Sequence, residues 1–148
     1  MKVRDMLHVI TTEHPDPKDS AVVRNGIYAF NNAHYGEKPG FFSVILKSTA
    51  GVVYGGLTAY VHSDSIFIDI LWVDDVVRGQ GYGTKLIQAA EAEARKRKIP
   101  SSTVDTFDFQ AEPFYKKMGY VDIGVIRNYV HGFDRFFLRK DLRDSAPA

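Results

Sequence analysis

Val73-Asp74-Asp75-Val76-Val77-Arg78-Gly79-Gln80-Gly81-Tyr82-Gly83-Thr84 joins an apolar run to a helical pattern through three alternating glycines. The run before it, residues 66–73, has the composition of a β-strand. The stretch after it, residues 83–98, carries Leu86, Ala90 and Ala94 at four-residue spacing with Ile87 beside them, the apolar stripe of a helix. A strand feeding a glycine-rich turn that opens a helix leaves backbone N–H groups unpaired at the helix N-terminus, which suits a phosphate or pyrophosphate. Arg78 adds a planar cation able to grip phosphate oxygens. A phosphate-bearing ligand is therefore expected here.

Outward from this stretch, Glu91 with Arg95 and Glu93 with Arg97 form favourable i,i+4 pairs. Lys96, Arg97 and Lys98 complement the dipole at the helix end, and Pro100 stops it. Upstream, residues 7–12 read as a short first strand, which His14-Pro15-Asp16-Pro17 breaks, and residues 20–30 read as a helix. Residues 31–40 are turn-rich. Residues 41–47, 52–61 and 66–73 are three strands joined by short turns, which predicts an antiparallel meander. Downstream come a strand at 101–107, a short helix at 112–118 capped by Gly119, and a hairpin of 120–126 with 133–139.

The length of 148 residues fits one domain, 1–148, able to bury a core. A net charge of +1 gives no support to nucleic-acid or membrane binding. The chain has no cysteine, which excludes disulfides, thiolate metal sites and a cysteine nucleophile. The histidines, His8, His14, His34, His62 and His131, lack ligand spacing, so no metal is expected. Residues 1–10 carry Lys2, Arg4 and Asp5 without an apolar stretch fit for export, and nothing reaches the length of a membrane span. A cytoplasmic location is expected.

Three ligand classes use glycine turns before helices. A Walker loop requires a spacing that Gly-Thr-Lys does not match, and a dinucleotide fingerprint requires Gly-x-Gly-x-x-Gly. Gly79, Gly81 and Gly83 alternate as in adenosylmethionine-dependent methyltransferases, but five residues separate them from Val73 and antiparallel strands precede them. Arg78-x-x-Gly81-x-Gly83 resembles the acyl-CoA pyrophosphate loop of the GNAT superfamily of N-acetyltransferases. Phe114-Tyr115-Lys116-Lys117-Met118-Gly119-Tyr120, some thirty residues on, resembles that superfamily's Phe-Tyr-x-Lys-x-Gly-Phe signature. The order of elements is similar over nearly the whole chain. Thr106-Phe107-Asp108-Phe109-Gln110 resembles a bacterial subgroup, whereas many members carry an asparagine near Phe109.

The resemblance implies an α/β (α+β) GNAT fold, a mixed and mostly antiparallel sheet flanked by helices and splayed at the acyl-CoA site. It implies acetyl-CoA as acyl donor and an amine acceptor, either a small molecule or a peptide. Arg78, Gly79, Gln80, Gly81, Tyr82, Gly83 and Thr84 would hold the pyrophosphate, largely through backbone N–H groups. Leu71, Trp72 and Val73 would offer backbone to the pantetheine arm as an added strand does, and Trp72 is expected to pack. Tyr115 resembles the tyrosine that members place near the acyl-CoA sulfur, as a general acid.

Asp69 is the expected base, because a carboxylate within the apolar residues 66–71 is costly unless paired or functional. Alternation would put it with Phe67, Leu71 and Val73, opposite Ile68, Ile70 and Trp72. A structural partner for Asp69, His62 as the base, and Tyr115 as a packing residue remain open. Tyr28, Tyr35 and Phe41 suggest an aromatic-lined acceptor pocket, and the aromatic C-terminal hairpin suggests a homodimer face. A non-catalytic coenzyme-binding module and a methyltransferase are the competing functions.

Overall fold

The computed structural model describes residues 7–36 and 40–143. They divide into a unit that carries one long helix and a unit that carries the sheet. In the first, helix α1 spans Pro17–Tyr35. The Asp16 carboxylate accepts the Lys18 N–H at 2.8 Å, and Pro17 starts the first turn, where its missing N–H is harmless. The helix ends at Gly36, whose φ of 76° closes a left-handed cap onto the Asn32 carbonyl. It therefore runs five residues past the expected end, through part of the stretch read as turn-rich, since no breaker precedes Gly36. Residues 7–12, expected as a first strand, form none. Their apolar composition suits a strand, but no described segment pairs with them.

The second unit runs β1 (Gly40–Lys47), β2 (Val53–His62), β3 (Ser65–Val73), α2 (Tyr82–Lys96), β4 (Ser101–Phe107), α3 (Glu112–Lys117), β5 (Val121–Val130) and β6 (Phe133–Asp141). The six strands lie in the order β1-β2-β3-β4-β6-β5. The expected meander β1-β2-β3 and the hairpin β5-β6 are both antiparallel, as is β4 with β6. The sheet buries one face under α2, where Leu86, Ile87, Ala90 and Ala94 meet Leu57, Ala59, Ile66, Ile68, Val104 and Leu138. Each fully buried Leu or Ile contributes about 1.5–3 kcal/mol.

α2 also turns Glu91 inward, only 3% exposed. Its carboxylate takes Lys140 Nζ on both oxygens, at 2.8 and 2.9 Å, and Arg95 stands farther off at 3.7 Å. Glu91 is thus a buried partner of β6, and its surface pairing with Arg95 is secondary. Glu93 with Arg97 is the helix pair that forms closely, at 2.7 Å.

Among the described residues β3 and β4 are the one parallel pair, and they pair over only three rungs, Ile66 with Ser102, Phe67 with Thr103 and Ile68 with Val104. Beyond that rung β3 stays with β2 up to Val73, while β4 stays with β6 up to Phe107. Each strand follows its antiparallel neighbour, so the two part. A bulge sharpens the parting: Thr58 faces Ile70 and Ala59 faces Ile68, which leaves Asp69 as the extra residue.

The bulge corrects the alternation expected for β3. Ile66 and Ile68 are buried, yet after Asp69 it is Leu71 and Val73 that pack on the core, while Ile70 and Trp72 are exposed. Asp69 therefore shares its face with Phe67, Ile70 and Trp72. Trp72, expected to pack, is 48% exposed.

Candidate active site

The turn after β3 is built from its own polar groups. Asp74 accepts the Val76 N–H at 2.9 Å and caps a short 3-10 turn, Asp75–Val77. Arg78 then folds back, its Nε donating to the Val73 carbonyl at 2.9 Å and its Nη1 meeting the Asp75 carboxylate. Arg78 thus braces the loop with part of its guanidinium, a task beyond the phosphate contact expected of it.

Two of the three glycines answer to backbone conformation and one to packing. Gly79 and Gly81 have φ of 73° and 80°, a region that side chains resist. Gly83 instead lets α3 approach, since a Cβ there would stand 3.4 Å from the Phe114 ring. Gly81 is the N-cap of α2 and brings no capping side chain. The first helical bond runs from Lys85 N to the Gly81 carbonyl, 3.1 Å, so the N–H groups of Tyr82, Gly83 and Thr84 have no carbonyl one turn back. An uncapped, positive helix end is a ready site for an anion.

A cleft of about 910 Å³ opens where β3 and β4 part. Its walls include Asp69, Leu71, Trp72 and Val73 of β3, then Arg78, Gly79, Gly81, Tyr82, Gly83 and Thr84, and Tyr115 of α3. Among the expected site residues Gln80 does not line it; its side-chain amide donates to the Val76 carbonyl at 3.5 Å. His62 is exposed at the end of β2 and is also absent from the walls. Tyr28 and Tyr35 lie on α1 and Phe41 on β1.

Asp69 is exposed, not buried, and its Oδ1 accepts the Thr58 hydroxyl at 2.6 Å. The expected cost of burying this charge does not arise, because alternation from buried Ile68 already turns it away from the core. Tyr115 is the reverse case. It is 5% exposed, with its ring edge-on to Phe114 and Tyr120 at 5.2 and 5.7 Å. Burial, with the Asp105 carboxylate adding to it, pushes its phenol up to about 12. It stays protonated at neutral pH, so its hydroxyl is available as a donor.

The cleft also gathers residues that sequence reasoning did not select: Asp105, Thr106, Phe109, Gln110 and Phe114. Gln110 shapes its corner, with Oε1 accepting the Phe107 N–H at 2.9 Å and the Thr106 hydroxyl at 3.3 Å. Phe109 stacks on Phe107 at 5.4 Å and meets Phe133 edge-on at 4.6 Å. The available signal was Asp105, a charge set between Val104 and Thr106 in a strand buried at alternate positions.

A mixed sheet that splits at its parallel pair, with an uncapped helix N-terminus at the split, leaves a cleft suited to an anionic ligand. The model of the acetyltransferase (GNAT) family matches residues 3–120, and the chain belongs to that family. It is an acyltransferase, and GNAT acetyltransferases use acetyl-CoA as their donor.

Among its relatives, blasticidin-S acetyltransferase of Streptomyces morookaense is 41% identical over 93 residues, 62% of this chain and 68% of that protein. An acetyltransferase of Bacillus cereus has a crystal structure similar to this one, with a TM-score of 0.77 and 29% identity over 93% of this chain and 99% of that one. A Bacillus anthracis structure in complex with acetyl coenzyme A shares the fold at a TM-score of 0.62 and 21% identity, over 71% of this chain and 64% of that one. Family membership displaces the methyltransferase reading. No described helix is long and apolar enough to cross a membrane.

Proposed function

We propose that the protein acetylates a primary amine, on a small molecule or a peptide, by direct attack on acetyl-CoA within a ternary complex. The observation that carries this reading is the single cleft on whose walls the uncapped α2 N-terminus, the free edge of β3, Asp69 and Tyr115 all lie. The N–H groups of Tyr82, Gly83 and Thr84 bind the pyrophosphate, with Gly79, Gln80 and Gly81 shaping the approach and Arg78 bracing it. Leu71, Trp72 and Val73, past the last rung with β4, offer backbone groups to the pantetheine amides.

An alkyl ammonium with a pKa of about 10.4 is roughly 99.9% protonated at pH 7, so exposing the free amine costs about 4–5 kcal/mol unless a base takes the proton. Asp69, exposed at the split and oriented by Thr58, is that base. The amine nitrogen bonds to the thioester carbon, the C–S bond breaks, and the sulfur leaves as thiolate. A CoA thiol titrates at about 8.5, as a cysteine does. Full proton transfer to it from a phenol at about 12 is uphill, so Tyr115 stabilises the sulfur by donating a hydrogen bond, and solvent completes the thiol. The absence of cysteine agrees with direct transfer rather than a thioester intermediate on the protein.

Thiol release from acetyl-CoA over a panel of amines tests this reading. Blasticidin S heads the panel, because a relative carries its name. Coenzyme binding with no amine turned over would defeat it.

A further inference from the structure

Asp69 and Asp105 each follow the last rung shared by β3 and β4, Ile68 with Val104, one on each parting strand. Ile68 and Val104 are buried on the face that α2 covers, so the next residue of each strand projects from the other face. Both line the cleft. The glycine turn and the α2 N-terminus belong to the covered side, where a coenzyme pyrophosphate would lie. Carboxylates repel that polyanion and suit a cation arriving from the opposite face.

Asp105 is built to receive one. Its side chain is 14% exposed, and Arg135 Nε and Nη2 both hold its Oδ2, each at 2.6 Å. Arg135 is fixed in turn by the Tyr129 hydroxyl at 2.9 Å and lies over the Tyr129 and Phe137 rings at 4.9 and 5.1 Å. No described residue donates to Asp105 Oδ1. Beside it on the cleft wall is Tyr115, 5% exposed, whose hydroxyl has no described hydrogen-bond partner. Asp105 Oδ1 thus stands on the cleft wall as an acceptor without a described donor, and it suits a ligand group that donates.

We propose that Asp105 is an acceptor-binding residue whose Oδ1 receives a second cationic nitrogen of the substrate, so that the enzyme selects amines with two basic groups. Asp69 then faces the reacting nitrogen and Asp105 the other. Paired strands stand about 4.8 Å apart and these two diverge past the last rung, so a short-chain diamine is the probe of choice. This assignment rests on the active-site reading above.

Thiol release from acetyl-CoA is followed with diaminobutane and with butylamine, for the wild type, Asp105→Asn and Asp105→Glu. The wild type should favour the diamine by about tenfold or more in kcat/KM, the worth of one charge-assisted hydrogen bond. Asp105→Asn should erase that preference without changing KM for acetyl-CoA, and Asp105→Glu should restore part of it. A wild-type ratio near one, a ratio that survives Asp105→Asn, or coenzyme binding without turnover of the diamine overturns the proposal. Calorimetry with acetyl-CoA separates it from the reading beneath: if the wild type binds no coenzyme, the active-site assignment itself fails.

Discussion

The Thr58 hydroxyl donates to the Asp69 carboxylate across 2.6 Å, from the strand against which the bulge sets Asp69. Strand, bulge and hydroxyl together fix a carboxylate at the mouth of the split. Asp69→Asn keeps the shape and removes the base. Turnover should fall by about 10²–10⁴-fold, with KM for acetyl-CoA little changed. The acidic limb of the pH–rate profile should vanish with it; an acidic limb that persists would assign the proton to another group.

Tyr115→Phe should lower kcat about tenfold and leave coenzyme affinity intact, because the ring packing survives and only the donor to sulfur is lost. Stability gives a second readout. The phenol titrates near 10 when unfolded and at about 12 when folded, so the unfolded chain loses this proton first. Native stability from this residue is therefore full below pH 10 and declines as pH rises through 12, by up to about 2.7 kcal/mol. The Phe variant should show a shallower alkaline decline in its melting temperature; an unaltered decline would mean that Tyr115 titrates alike in both states.

Gly81 and Gly83 should respond differently to the same change. Gly81→Ala forces a side chain into φ of 80°, which costs about 1–3 kcal/mol and distorts the helix end that binds pyrophosphate. Gly83→Ala brings a Cβ to 3.4 Å from the Phe114 ring, at the close edge of ordinary contact, and should lower the melting temperature much less. Denaturant midpoints together with coenzyme titrations check both halves. Equal losses would refute the division between a conformational and a packing glycine.

Lys140→Ala leaves the Glu91 carboxylate buried without its main partner and should cost about 3–5 kcal/mol. The double replacement Glu91→Leu with Lys140→Met removes both charges and should recover most of that loss. If the double variant is no more stable than Lys140→Ala, the pair holds the fold by more than charge compensation.

The fold was legible where local signals agreed. Three glycines, an apolar stripe and Pro100 located α2 to within two residues at each end, and alternating apolar runs located β1 to β3. What escaped was non-local. The bulge at Asp69 arises from register against β2, and a single inserted residue inverts every later side chain of β3 without leaving a local mark. Residues 7–12 have strand composition, but a strand exists only with a partner.

The candidate site divides the same way. The glycine spacing pointed to the turn that lines the cleft, though not to Gln80 lying outside it, whereas Asp105 came into view only once β4 was laid beside β3 and Arg135 across from it. Gly55 and Gly56 looked unremarkable in sequence, yet a Cβ on either would stand 2.6 or 2.7 Å from a neighbouring strand's carbonyl oxygen.

Because β3 leaves with β2 and β4 leaves with β6, the sheet is stitched into two leaves that share only three rungs. Any acyl donor lying in the gap would act as a removable seam between them. Saturation at a hundred times Kd would add about 2.7 kcal/mol to the folded state, and amide exchange should slow first at Ile70 and Thr106, on facing edges of the two leaves. The spent coenzyme, when it departs, would reopen that seam, so loosening of the leaves and product escape become a single motion.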